Sequence, residues 1–151
     1  MTLKDIKTMK KIAFAFGLIG LSAFANAADV LNGTVWQTID DETKKPKAIV
    51  KFTEQKNGTL TASIQKYLVD GDKCVKCEGT YHNKSLQGVT IVHSLKNVGG
   101  TNYDNGSILD PKNGKSYSLK AELVDGGKHL KLRGYLGVSL LGRTQVWNRV
   151  N

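Results

Sequence analysis

The sequence predicts an all-β domain, an up-and-down antiparallel barrel of eight short strands. Three observations lead there. Turn chemistry punctuates the chain after Asp29, at Asn57-Gly58, Asp110-Pro111-Lys112-Asn113-Gly114 and Asp125-Gly126-Gly127, and Asn-Gly and Asp-Gly supply the positive φ angles that tight hairpins need. Between these turns apolar and polar residues alternate, most cleanly in Leu60/Ala62/Ile64 and Tyr117/Leu119/Ala121/Leu123. A period of two means one face in and one face out. Beyond the leader no long stretch carries the 3.6-residue apolar period of a helix.

The runs follow in order. Thr34–Ile39 carries Trp36 and leaves through Asp40-Asp41-Glu42, read as a polar turn. Ala48–Thr53 and Thr59–Leu68 flank Asn57-Gly58. Val89–Ser94 follows a long loop, and the spacing of Val89, Ile91 and His93 predicts an inward His93. Asn102–Leu109, Ser116–Leu123, His129–Leu136 and Thr144–Val150 complete the set, the last carrying Trp147. Closing such a series into a barrel removes exposed edges, with a two-sheet sandwich as the alternative. Eight strands leave an interior that is filled by side chains or holds one small ligand. If the first and last runs pair antiparallel, Trp36 faces residues 147–149 and residues 40–41 face residue 143. Arg149 would then cover the Trp36 indole and Arg143 would meet Asp40 or Asp41, closing the barrel. A guanidinium over an indole contributes about 0.5–2 kcal/mol.

Ahead of the strands, Lys10 and Lys11 lead into an apolar run, Ile12 to Phe24, ending at Ala25-Asn26-Ala27. A basic start, a short apolar centre and a small-x-small exit make a secretory signal peptide over residues 1–27. The run is shorter than the roughly 20 residues that span a bilayer. Met9-Lys10-Lys11 offers a second start. The expectation is an exported, periplasmic or secreted protein with one domain over residues 28–151. That domain carries 18 Lys/Arg against 12 Asp/Glu, a net charge of +6. Its lysines are scattered and no aromatic-basic motif accompanies them, so nucleic acid is not an expected partner.

Three blocks carry a family resemblance: Gly-Thr-Val-Trp-Gln-Thr-Ile-Asp-Asp (33–41), Ile-Leu-Asp-Pro-Lys-Asn-Gly-Lys-Ser-Tyr (108–117) and Leu-Arg-Gly-Tyr-Leu-Gly-Val-Ser-Leu-Leu-Gly-Arg-Thr-Gln-Val-Trp-Asn-Arg (132–149). The chain resembles the bacterial domain-of-unknown-function 2147 family over almost all of residues 28–151. The resemblance implies a small exported protein with a lipocalin-like barrel, and it brings no established activity or ligand. Two residues separate Gly33 from Trp36, where lipocalin-like barrels usually have one.

Cys74-Val-Lys-Cys77 sits in the long loop before Val89. In an oxidising compartment the pair forms a disulfide. A redox role is the second reading, since Lys73 and Lys76 favour thiolate, though no βαβ context surrounds the motif. A metal site, with His82 near, would need more ligands than two thiolates.

His82, His93 and His129 are the only histidines. No nucleophile elbow, zinc-binding helix motif or phosphate-cradling loop is present, so neither catalysis nor a cofactor is expected. The function expected is binding or carrying a small, partly apolar ligand. Trp36, Tyr67, His93, Tyr103, Tyr117, Arg133, Tyr135 and Trp147 are the candidate lining, with an arginine to anchor an anionic head group. The alternative is a filled barrel that meets an envelope protein or anionic polymer through its basic exterior.

Overall fold

The computed structural model describes residues 26–151; the predicted leader falls almost wholly on residues 1–25, outside the described residues. Eight strands pair in chain order and the last returns to the first, closing an antiparallel barrel. They are β1 (Val35–Ile39), β2 (Pro46–Glu54), β3 (Leu60–Tyr67), β4 (Thr90–Gly99), β5 (Asn102–Asp110), β6 (Lys115–Val124), β7 (His129–Tyr135) and β8 (Arg143–Arg149). The connections β2–β3, β4–β5 and β6–β7 are tight and lie at one end. The β1–β2, β3–β4, β5–β6 and β7–β8 connections lie at the other.

Alternation decides what faces inward. Ala48, Val50 and Phe52 of β2, Leu60, Ala62 and Ile64 of β3, Leu119 and Ala121 of β6, and Leu130 and Leu132 of β7 are all buried. β4 departs from simple alternation. Ala62 pairs with Val92 but the next β3 residue, Ser63, pairs with Thr90, so Ile91 is an extra residue in that strand. Such a bulge leaves its two flanking residues out of phase. Ile91 and Val92 are both buried and His93 turns outward, its Nε2 against the Thr90 carbonyl at 3.2 Å. The predicted inward His93 is corrected by that bulge. A second irregularity at Ser94, with φ 55°, lets β4 continue to Gly99.

The end with the tight turns is sealed. Trp36, Phe52, Leu60, Leu95 and Leu130 are fully buried there together with Leu31. Trp36 Nε1 donates to Thr34 Oγ1 at 2.8 Å, and that hydroxyl donates to the Leu31 carbonyl at 2.6 Å. Tyr103 donates its hydroxyl to Asp29 at 3.0 Å. Burial, with Asp29 adding to it, pushes the Tyr103 phenol up to about 12. Arg149 lies opposite Trp36 in the β1–β8 pairing, its guanidinium 5.7 Å from the indole centroid.

Arg149→Ala should lower stability by about 0.5–1 kcal/mol, read by urea unfolding, through loss of that stacking at a barrel seam, since the arginine is exposed. A change within a few tenths would mean the contact is incidental. Tyr103 should ionise above the ordinary tyrosine value of 10.0, towards about 12, when absorbance at 295 nm is followed into alkali. Its folded pKa is raised, so its contribution is complete below pH 10 and lost as pH rises towards about 12.

Candidate functional site

The other end of the barrel is hollow. A cavity of about 180 Å³ opens there, and its walls are Ala48, Ile64, Ile91, Ile108, Leu109, Leu119 and Leu132. Trp147 forms its floor and packs on Phe52 with ring centroids 6.4 Å apart, so one indole separates the cavity from the sealed end. Gly134 faces inward on β7. An added Cβ would meet Ile108 and Tyr117 only at ordinary contact, 3.6 Å, so the missing side chain is part of the space. Tyr67 and Tyr117 stand on the wall below the rim. Tyr117 Oη accepts from Asn113 Nδ2 at 2.8 Å. Burial, then the charges of Asp40 and Asp110, raise the Tyr67 phenol above its ordinary value, keeping it a neutral hydroxyl.

The rim is charged and mostly self-paired. Arg143 is bound to Asp41, which also accepts from Gln145 Nε2 at 2.8 Å. Lys112 meets Glu42 at 2.6 Å and Lys47 meets Asp40 at 3.7 Å. The Thr43 amide and hydroxyl hold the Asp40 carboxyl down at about 2. β1 and β5 stand on opposite sides of the closed sheet. The Glu42–Lys112 pair, from the β1–β2 and β5–β6 turns, therefore straps the mouth from one side to the other. Both side chains are more than half exposed, and an exposed pair contributes only about 0–1 kcal/mol. The strap is weakly held.

Cys74 and Cys77 are joined in a disulfide, which removes the zinc and thiolate readings for this state. Both are buried, and their loop lies on the β5–β6 turn: Cys74 Sγ is 3.6 Å from the Pro111 carbonyl. Gly114 makes this docking possible, because any Cβ there would overlap the Lys76 carbonyl. His82 Nδ1 contacts the Cys77 carbonyl at 2.9 Å.

Of the eight residues selected from sequence as lining, Tyr67, Tyr117 and Trp147 border the cavity. Trp36 and Tyr103 lie in the sealed end. His93 is turned out by the bulge. Arg133 and Tyr135 are on the outer face, because Leu130, Leu132 and Gly134 take the inward phase of β7. Arg133 instead donates to the carbonyls of Ser139 and Leu140, and Tyr135 lies beneath Lys120, 5.9 Å from Nζ to ring centroid. The polar turn at Asp40-Asp41-Glu42 is also the rim, a role its composition did not signal. Among the described residues no group of His, Cys, Asp and Glu is arranged to hold a metal, and no helix is long and apolar enough to cross a membrane.

Residues 34–149 match the family described as "Uncharacterized protein conserved in bacteria" (DUF2147). No curated protein matches the chain significantly. Among solved structures the barrel is similar to HP1028 of Helicobacter pylori, a protein described as belonging to the lipocalin family. The two are 25% identical with a TM-score of 0.69, over 80% of this chain and 83% of that one.

If the strap shields the mouth, Lys112→Ala and Glu42→Gln should each raise acrylamide quenching of tryptophan emission about twofold. The two effects should not add, since they remove one pair, and Tm should move by no more than a few degrees. Unchanged quenching in both variants would remove the strap's role. Asp40 ionises below the ordinary carboxyl value of 3.8. Its hold on the β1–β2 turn is therefore complete above about pH 4 and is lost as pH falls towards 2.

Proposed function

The chain belongs to the bacterial family of uncharacterised proteins DUF2147 and is built as a lipocalin-like barrel, and on that footing we propose that it binds a small, largely apolar molecule. The observation that carries this reading is the cavity itself. It is walled by aliphatic side chains with a few hydroxyls near its opening, the usual composition of a small-molecule site. At about 180 Å³ it exceeds an apolar cavity of ~150 Å³ that takes benzene. It is smaller than the roughly 300–1,000 Å³ of drug-sized pockets. The fit is one ring or a short chain, not a large lipid.

The rim bears on the polar end of that ligand. Lys47, Lys112 and Arg143 are each paired with an acid, and Arg133 faces away. Asp110 has no cationic partner among the described ion pairs, and the Tyr67 hydroxyl stays neutral. An anionic head group would have to break a pair and face four carboxylates, Asp40, Asp41, Glu42 and Asp110. A neutral hydroxyl or an ammonium meets acceptors at once. This replaces the arginine-anchored anion expected from sequence. Binding without catalysis is the reading. The disulfide and the predicted leader support an oxidising compartment outside the cytosol as its place of work.

Titration calorimetry with 1-hexanol, hexylamine and hexanoate checks this. The alcohol and the amine should bind about tenfold or more tightly than the acid. Gly134→Leu should abolish binding of all three with a Tm within a few degrees of the parent, by filling the cavity. Absence of binding in the parent protein, or preference for hexanoate, contradicts the proposal.

A further inference from the structure

The β7–β8 connection has a feature that the cavity does not use. Leu136, Val138, Leu140 and Leu141 are 62%, 58%, 88% and 82% exposed. Single exposed leucines are ordinary. Four aliphatic side chains on one loop at the mouth of a cavity form a patch.

The loop is built to hold them outward. Ser139–Leu141 forms a 3-10 turn, with Leu141 N donating to the Val138 carbonyl at 3.2 Å and Gly142 N to the Ser139 carbonyl at 3.1 Å. Arg133, on the outer barrel wall, donates to the Ser139 and Leu140 carbonyls and, at 2.8 Å, to Thr144 Oγ1. Gly142 is pressed on the barrel so closely that a Cβ would lie 2.7 Å from the Gly134 carbonyl oxygen. The backbone polar groups are thus satisfied from the barrel side and the leucines project away from it. At the same end, the disulfide loop raises Val75, 61% exposed, between Lys73 and Lys76.

We propose that the open end docks on an anionic phospholipid bilayer, with Leu140 and Leu141 inserted at the acyl boundary and open-end lysines on the lipid phosphates. Shape and charge favour this occupant. The patch is a projecting tip, and its exposed area is on the order of a few hundred Å², short of the ~800 Å² per partner of a stable protein interface. No acidic residue lies between Tyr135 and Gly142. In the open-end loops Lys44, Lys45, Lys73, Lys76, Lys84 and Lys115 make no ion pair among the described residues, against the unpaired acids Asp70, Asp72, Glu78 and Asp110. The unpaired charges of these outer loops are net positive around the acidic mouth, and the described chain is at +6. Apolar insertion together with basic attraction is how interfacial proteins hold such membranes. The cavity would then open towards the phase in which apolar molecules dissolve.

Flotation with vesicles of phosphatidylglycerol and phosphatidylethanolamine, and with phosphatidylcholine alone, tests the docking. The parent protein should float with the first set and bind the second about tenfold less. Leu140→Ser/Leu141→Ser should lose at least tenfold of the binding at unchanged Tm, since both side chains are already in water. Lys73→Gln/Lys76→Gln should weaken only the anionic case. Gly134→Leu should float like the parent, which separates this result from the fate of the cavity reading. Failure of the parent to float overturns the proposal, as does parent-like binding by the serine variant. Sedimentation equilibrium showing a dimer that the serine variant dissolves would assign the patch to a second copy instead.

Discussion

Closure between β1 and β8 is the constraint on which the molecule depends. A barrel has no free edge only if its last strand finds its first, and here the backbone does little of that work. Just two residue pairs register across the seam, Trp36 with Arg149 and Gln37 with Asn148. Side chains and the chain terminus complete it. Arg149 covers Trp36 at the sealed end, Val35 N donates to Asn151 Oδ1 at 2.8 Å, and Arg143 with Gln145 clasps Asp41 at the open end. The same clasp orients the β1–β2 turn, and through Glu42 that turn becomes the strap over the cavity. Closing the sheet and shielding its interior are one arrangement.

The interior is filled at one end of the barrel and hollow at the other. Below Trp147 it is packed with aromatic and aliphatic side chains; above, small residues at Ala48 and Gly134 leave room. Filling only one half lets the sealed end supply most of the apolar burial while the open end keeps a space. The charged rim fits this division. Ion pairs in water contribute little to stability, so the mouth can rearrange without loosening the core.

Much of the fold was legible in the residues. Asn57-Gly58 and Asp125-Gly126-Gly127 marked turns that the structure contains, and the alternation of β3 and β6 gave their inward faces directly. The site was less legible, for physical reasons that differ from residue to residue. His93 was misplaced because an inserted residue at Ile91 shifts the phase, and a bulge leaves no mark in composition. Arg133 and Tyr135 face outward although their chemistry suits a ligand, because Leu130 and Leu132 take the inward phase of β7, and a side chain's chemistry does not decide which way it points. Tyr103 and Trp36 were inward, but depth along the barrel axis is set by strand stagger, which a single sequence does not express. Asp40, Asp41 and Glu42 looked like a turn and are one; their second role depends on Lys112, 70 residues from Glu42.

Trp147 as a partition has a consequence for how such a protein can diversify. Positions above it, among them Ile64, Ile91, Ile108 and Gly134, could exchange size and polarity while the seam and the packed half stay as they are. Descendants of one ancestral chain could then acquire different ligands by few substitutions that leave the packed half in place. Under that architecture, divergence in what is bound would outrun divergence in shape, and a shared barrel would be a poor guide to a shared cargo.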